Sequence, residues 1–449
     1  MNYARRGLIR RRHVPAPLRL AVGLALLVGI GTALLMLPVM ATRPLALNEA
    51  FFTAVSALSV TGLSIITPAR DLTVIGQITL MLLIQVGGVG FMVVSVVVFQ
   101  VLGRRISLAD RLALTDSFGL LVPGEIVRLT QRVLLTVLLI EGIGAALLWL
   151  HWRDLLGEQA LLYAVFHAVS SFCNAGFDLF AGRPDYPAGM PNDGGTLAIL
   201  GSLIFLGGLG IPVLAELLTF WWQRKFSLHT RLTLGAVVFL TIAGTLGIFM
   251  AERQAGAVLA DAPVGRQLEL ALFQSVSART AGMAGIQPFE ALAPASQLLM
   301  IVLMFIGCAP ASMGGGITTG TFVVLVLAVL AYARGLTSPT VGGRSLAEGT
   351  VRRAAAVLTV SLLVVLLSTW LILMTHDASF DLVLFEVVSA FATCGLTLAF
   401  TSQLNVFGQV VVALVMFWGR LGALTLVVAF TRPQPRHRLT YPEEQVLIG

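Results

Sequence analysis

Four short segments of this 449-residue chain share one chemical capability. They read SVTGLSI at 59–65, FCNAGFD at 172–178, ARTAGMA at 278–284 and ATCGLTL at 392–398. Each centres on a glycine, Gly62, Gly176, Gly282 and Gly395, at separations of 114, 106 and 113 residues. No nucleophile with a base, paired carboxylates or histidine set accompanies them, so bond-breaking chemistry is not on offer. Backbone chemistry is. Glycine permits left-handed dihedrals and close approach of two chains. A non-helical segment also presents carbonyl oxygens, which can replace a cation's hydration shell. One such glycine reads equally well as a close-packing point between helices. Four in register read as a ring of carbonyls.

A Phe and then a Ser precede each segment at nearly fixed distance: Phe52 and Ser56, Phe166 and Ser170, Phe273 and Ser277, Phe385 and Ser389. The third copy is one residue shorter between Phe and Gly. These pairs sit in short apolar runs, 47–58, 159–172, 265–277 and 380–391. About a dozen residues at 1.5 Å each cannot cross a core of roughly 30 Å, which predicts re-entrant half-helices. Longer apolar runs flank them: 20–40 and 72–102, 131–150 and 196–222, 232–250 and 295–332, 353–375 and 406–430. The unit is therefore span, half-helix, glycine segment, span. It occurs at 20–103, 128–225, 230–334 and 351–430, between a basic N-terminus 1–19 and a C-terminal tail 431–449. The expected fold is an all-α polytopic membrane protein of eight transmembrane helices and four half-helices around a pseudo-fourfold central pore. A half-helix entering from outside ends with its negative pole and unpaired carbonyls inside the membrane. Irregular backbone at that depth must be buried in protein or line a water-filled cavity.

Composition agrees with a lipid solvent. The chain is 57% hydrophobic and 11% charged, with mean hydropathy +0.92, whereas soluble chains are about a quarter charged. The net charge of +7 is distributed by topology. Twenty-one basic residues fall on the side of the termini and six on the other, with Arg279 and Arg420 at membrane depth. That bias places both termini in the cytoplasm and explains the basicity without nucleic acid, for which no basic stripe with aromatic platforms exists. Fourteen of the 22 acids, Glu386 among them, are expected outside, where a negative face concentrates cations. Glu49, Glu158, Glu269 and Asp381 lie near half-helix starts, where an acid complements the helix dipole. The three cysteines have no metal-ligand spacing, and no HExxH is present.

Two further features lie below the expected ring. The run 295–332 contains GCAPASMGGGITTGT at 307–321, where Pro310 and Gly314, Gly315 and Gly316 predict an unwound stretch. This reads as the one broken span. Arg420, in VMFWGRLGALT, sits mid-span, where a charge costs about 2.5–3.5 kcal/mol and implies a cavity or partner. Glu141 reads as a buried carboxylate and Glu216 as one reaching the cytoplasmic surface. Gly87, Gly88, Gly207, Gly208 and Gly419 read as close-packing points in the second spans.

The arrangement resembles the Trk/Ktr/HKT superfamily of potassium transporters, on Thr61-Gly62, Asn174-Ala175-Gly176-Phe177, Thr280-Ala281-Gly282 and Thr393-Cys394-Gly395. NAGFD and RTAG are the most specific matches, and the tail YPEEQVLIG at 441–449 is similar to the Ktr-type membrane subunit. The resemblance implies potassium uptake, not an enzyme, with those residues as the selectivity filter. Gly62, where a Ser goes with sodium permeation, implies potassium selectivity. It further implies an intramembrane gate loop including Gly307, Pro310, Ser312, Gly314, Gly315 and Gly316, with Arg420 beneath the filter. Related chains often carry Lys where this one has Thr318. The resemblance also implies a homodimer in the bacterial inner membrane and a cytoplasmic RCK-type regulatory subunit that carries the nucleotide. Sodium as an activator stays open, and this chain is expected to hold no cofactor beyond the transported K+. The competing reading is an alternating-access carrier of another cation or small solute, whose signature is broken helices near the midplane.

Overall fold

The computed structural model describes residues 16–90, 126–186, 189–336 and 338–422. The basic segment 1–15, the continuation of the first unit beyond 90, and the chain from 423 through the tail 431–449 lie outside the described residues. Within them, fourteen helices of twelve residues or more occur in four groups. The first group is α1 Ala16–Leu35, α2 Leu47–Ser59 and α3 Val74–Val89. The second is α4 Ile126–Leu156, α5 Ala160–Phe172, α6 Gly194–Gly208 and α7 Ile211–Gln223. The third is α8 Leu228–Glu252, α9 Val264–Ser277, α10 Pro294–Ile306 and α11 Thr319–Ala333. The fourth is α12 Glu348–Leu373, α13 Phe380–Phe391 and α14 Val406–Leu421.

Helices of 20 to 31 residues open the groups, and helices of 12 to 14 residues follow them. Among the described residues four helices can cross a membrane by length and composition, five if the pair 194–208 and 211–220 counts as one bent span. The long helices turn apolar side chains outward: Leu26 is 64% exposed, Leu135 66%, Phe239 64% and Leu363 62%. Water would penalise such a surface, whereas hydrocarbon does not.

Local chemistry starts and joins these helices. Thr73, Asp193 and Asn405 accept from the amides of Gly76, Thr196 and Gly408 at the starts of α3, α6 and α14. Such caps are each worth about 1 kcal/mol. The end of each long helix is stapled to the start of the helix that follows the glycine segment. The Thr73 hydroxyl donates to the Val39 carbonyl at 2.7 Å, and His151 meets Asp193 at 2.6 Å. The Ala293 amide donates to Glu252 at 2.9 Å, and the Asn405 amide to His376 Nε2 at 2.9 Å.

Packing runs in a cycle. Each short helix packs on the long helix of its own group and on a helix of the preceding one: α3 on α5, α6 on α9, α10 on α13, and α14 back on α2. The last contact joins residues more than 350 positions apart, so group four closes onto group one.

One expectation is corrected. The unwound stretch after α10 is not the only break. The α6–α7 pair bends by 106°. Gly210 at φ 84° stops α6, and Pro212 opens α7, where a missing amide costs nothing. Helices α3 and α14 likewise stop at Gly90 and Gly422, at φ 90° and 87°.

Candidate functional site

Each short helix ends under its glycine segment in the same manner. The Ser carbonyl accepts from the residue before the glycine: Thr61 to Ser56 at 2.8 Å, Ala175 to Ser170 at 2.7 Å, Ala281 to Ser277 at 2.8 Å and Cys394 to Ser389 at 2.8 Å. The Ser hydroxyl pins the backbone at or just past the glycine. Gly62 and Gly395 amides donate to Ser56 and Ser389 at 3.0 Å each. Ser170 donates to the Phe177 carbonyl at 2.8 Å, and the Met283 amide donates to Ser277 at 2.9 Å. The repeated Ser is therefore the residue that turns a helix end into a fixed loop. Val60, Asn174 and Thr393 take left-handed conformations two residues before the glycine, a rare and costly state for non-glycine side chains. Group three lacks one, consistent with its one-residue-shorter spacing.

The four glycines then meet. A Cβ on Gly62 would run into the Ala175 carbonyl oxygen, and one on Gly176 would come 2.6 Å from the Ala281 oxygen. One on Gly282 would strike the Cys394 oxygen, and one on Gly395 the Thr61 oxygen. The contacts return to their start, so four glycines and four carbonyl oxygens form a closed cycle. Positive φ values of 91°, 70°, 66° and 95° at these glycines make any side chain there both strained and obstructed. Thr61, Asn174, Ala175, Thr280, Ala281, Thr393 and Cys394 are fully buried, while the four glycines are partly exposed. The space inside the cycle therefore faces backbone.

On one side of the cycle lies a cavity of about 700 Å³, lined by Gly176, Gly282 and Gly395 together with Asp178, Gln287, Glu290 and Thr397. The residue after each repeated Phe is fully buried behind it: Thr53, His167, Gln274 and Glu386. His167 meets Asp178 at 2.9 Å, and the Gly285 amide donates to Gln274 at 3.0 Å. Thr397 and Thr401 hydroxyls donate to the Glu386 carboxylate at 2.7 and 2.5 Å. Glu386 thus does not lie on the outer surface, and neither do Asp71 and Glu252, which are likewise buried. The place of Glu386 on α13, facing the segment that follows, buries it. At the start of α2, the Arg43 guanidinium forks onto Glu49 at 2.8 and 2.9 Å and holds its carboxyl below the usual range. Burial pushes the neighbouring Asp71 up, but the Thr67 amide, Arg70 and Arg43 outweigh it and leave it low.

On the other side lies the stretch after α10. Gly307 at φ 71° ends the helix, and Gly316 at φ 85° helps turn the chain back. The Ile317 amide donates to Phe305 at 3.1 Å and that of Thr319 to Cys308 at 2.9 Å, closing the loop on itself. The α6–α7 break receives it. Ala309 and Met313 amides donate to Gly208 and Gly207 carbonyls at 3.1 and 3.3 Å, and the Ile211 amide donates to Ala311 at 3.0 Å. A Cβ on Gly210 would come 2.6 Å from the Pro310 oxygen. The two breaks thus satisfy each other's backbone groups, as irregular segments in apolar surroundings require. Thr318, at φ 72°, caps α11.

The loop lies against the cycle. A Cβ on Gly315 would come 2.7 Å from Thr393 Oγ1 and 2.8 Å from the Ala392 oxygen, and one on Gly314 would come 2.7 Å from the Thr280 Cβ. The Cys308 thiol is 2.9 Å from Thr280 Oγ1, and the Asn174 amide is 2.9 Å from that same hydroxyl. Arg279, 4% exposed, lies beside Cys308, behind the segment. The Ser312 hydroxyl is buried with no partner among the described residues. Arg420 ties loop to helix: it donates to the Met313 and Gly87 carbonyls and to Gly88 at 2.9 Å. Glu141, 4% exposed, accepts from Gln85 at 3.0 Å and faces Cys173 at 3.6 Å. Glu216 accepts from the Ser227 amide at 2.9 Å, at the start of α8. Gly87, Gly207 and Gly419 lie against the carbonyls of Leu58, Phe172 and Phe391, which makes them packing points between neighbouring helices. The stops at Gly90, Gly210 and Gly422 were missed from sequence; a glycine 28, 34 and 27 residues after Gly62, Gly176 and Gly395, closing GGVG, GGLG and GRLG, is the signal that could have found them.

Comparison with known proteins extends this geometry. Residues 24–439 match the TrkH family, described as cation transport protein. The chain is 37% identical to the Ktr system potassium uptake protein B of Vibrio alginolyticus, over 93% of this chain and 91% of that one. It is 34% identical to the protein of the same name from Bacillus subtilis, over 96% of each. It is 31% identical to the potassium/sodium uptake protein NtpJ of Enterococcus hirae, over 98% of each. The fold matches the crystal structure of the potassium transporter TrkH from Vibrio parahaemolyticus, with a TM-score of 0.74 at 20% identity, covering 96% of this chain and 87% of that one. This chain belongs to the TrkH family of cation transport proteins, which are membrane transporters and not enzymes.

Proposed function

We propose that the protein takes up potassium across the bacterial cytoplasmic membrane through a pore in which the cycle of Gly62, Gly176, Gly282 and Gly395 is the selectivity filter. The observation that carries this reading is the closure of that cycle, with one carbonyl oxygen from Thr61, Ala175, Ala281 and Cys394 set between successive glycines. Four fixed carbonyl dipoles around an opening can replace water about a dehydrated monovalent cation. Asn174, Thr280 and Thr393 hold the ring from behind. The relatives' activities, potassium uptake in two and potassium/sodium uptake in the third, support the ion. The stretch 307–316 and Arg420 form the gate under the filter, where a guanidinium opposes the next cation. The four units together make eight crossings and four half-helices. The basic excess of 21 against six supports cytoplasmic termini, and the inside-negative potential then drives uptake. A homodimer and an RCK-type regulatory subunit that binds the nucleotide complete the reading, on family resemblance.

One observation favours the alternating-access reading: the second broken helix pair at 208–211. It is weaker, because that break is filled by the loop after α10 and leaves no separate solute site there. Fluxes of potassium, rubidium and sodium into proteoliposomes at a fixed inside-negative potential decide the matter. Potassium and rubidium should enter several-fold faster than sodium. Equal rates for all three sink the filter reading, and acceleration of uptake by internal substrate supports the carrier.

A further inference from the structure

The repeated Phe marks a second position whose chemistry differs in every unit: the next residue, fully buried behind its glycine segment. Thr53 in unit one has a hydroxyl with no partner among the described residues. Gln274 in unit three accepts a single amide bond from Gly285 at 3.0 Å. His167 in unit two donates from Nδ1 to the Tyr163 carbonyl at 2.7 Å, and its Nε2 meets Asp178 at 2.9 Å. Glu386 in unit four receives two hydroxyls, one on each carboxylate oxygen. The Ser below is the same residue in all four units, whereas this position differs in each.

We propose that Glu386 is a specificity-positioning residue, fixing the fourth segment of the filter through Thr397 and Thr401; the proposal rests on the reading of the glycine cycle as a selective pore. Its carboxylate is 0% exposed, and no basic side chain pairs with it among the described residues. A buried acid without a cation is costly to keep. What it does here is hold the chain at two points. Thr397, two residues past Gly395, also lines the cavity above the cycle, and Thr401 opens the turn that leads to α14. With the Ser389 hydroxyl on the Gly395 amide at 3.0 Å, segment four is held at 395, 397 and 401. Segment one is held differently: the Ser56 hydroxyl accepts from Gly62, the Ser64 hydroxyl donates to the Ile66 carbonyl at 2.7 Å within the segment itself, and no buried carboxylate follows its Phe. Segment four also borders two neighbours in the cycle: Cys394 abuts Gly282, and Gly395 abuts Thr61. Release of this one segment therefore loosens two of the four gaps, and a looser carbonyl cage discriminates less between ions of different size.

The test is the ratio of potassium to sodium flux in proteoliposomes, per inserted protein, with thermal unfolding of the purified protein measured alongside. Glu386→Ala should lower the ratio about tenfold and Glu386→Gln about threefold, since the amide keeps one acceptor. Thr397→Val should act in the same direction. Thr53→Val, at the unpaired position, should leave the ratio unchanged. If Glu386→Gln and Thr397→Val lower yield or unfolding temperature while the ratio stays at the wild-type value, Glu386 is a packing residue only and the proposal is overturned. A wild-type protein without potassium preference would instead remove the pore reading, and this proposal with it.

Discussion

The two faces of the glycine cycle are built on opposite plans. The cycle itself is made four times from the same parts: a short helix, a Ser that pins the turn, and a glycine pressed against the next unit's carbonyl. The loop below it is made once, from one unit, and its anchors are individual: Arg420 from unit four, Gly207 and Gly208 from unit two, and the Cys308–Thr280 contact within unit three. Repetition gives a structure in which every gap depends on the two beside it, as ion discrimination needs. A single loop can be altered at one anchor without repeating the change around the ring, as a test of the proposed barrier needs. The comparison breaks if damage to the loop alters selectivity more than rate, or if damage to the ring alters rate alone.

The largest effect is expected at Gly282. It sits at φ 66°, and a Cβ there would strike the Cys394 carbonyl and come 3.0 Å from the Gly395 Cα. Gly282→Ser therefore has no relaxed conformation and must push segment four outward. Potassium preference over sodium should fall by about a factor of ten or more, since the displaced carbonyl is one of four. Unchanged selectivity in proteoliposomes carrying this variant would remove the ring from the filter role.

Arg420 tests the other face with a smaller effect. Its guanidinium reaches the Met313, Gly87 and Gly88 carbonyls, so Arg420→Ala removes both a positive charge under the ring and the tie between loop and helix. Cation flux should rise several-fold, while the potassium-to-sodium ratio holds within about a factor of two. Flux equal to the wild type means the arginine is a structural tie and not a barrier.

The ring was more legible in the sequence than the loop for a physical reason. A contact made four times leaves four copies of its residues, and the Phe–Ser–Gly register marked the runs 47–58, 159–172, 265–277 and 380–391, where short helices stand at 47–59, 160–172, 264–277 and 380–391. The unwound stretch showed itself through Pro310 and the three glycines. Its partner did not. The α6–α7 break depends on Gly210, whose positive φ and contact with Pro310 exist only once two units are packed. Glu386 was misplaced for a related reason. Charge by itself put it outside, whereas its burial comes from hydroxyls at 397 and 401, eleven and fifteen residues away. Features set by one unit's own periodicity were readable, and features set by the meeting of two were not.

The smallest effect belongs to the rim of unit one, where the ring's plan of shared parts is absent. Arg43 holds Glu49 below its ordinary value of 4.5, and Glu49 in turn closes the start of α2 by accepting from the Ala46 amide at 2.9 Å. The folded carboxyl titrates lower than the unfolded one. The pair's contribution is therefore complete above about pH 4.5 and lost as pH falls through the lower folded value. Solvent screens this pair, because the Arg43 side chain is 44% exposed, which keeps the effect small. Arg43→Gln should accordingly lower the unfolding temperature of the detergent-purified protein by about a degree at pH 7, and by progressively less as pH falls below 4.5. Its potassium-to-sodium ratio should match the wild type, since the rim bond fixes where α2 starts whereas Ser56 fixes where its glycine segment lies. A changed ratio would mean that half-helix starts and filter segments move as one body, and the distinction between a self-supporting ring and its individually anchored surroundings would have to be redrawn at the level of the whole unit.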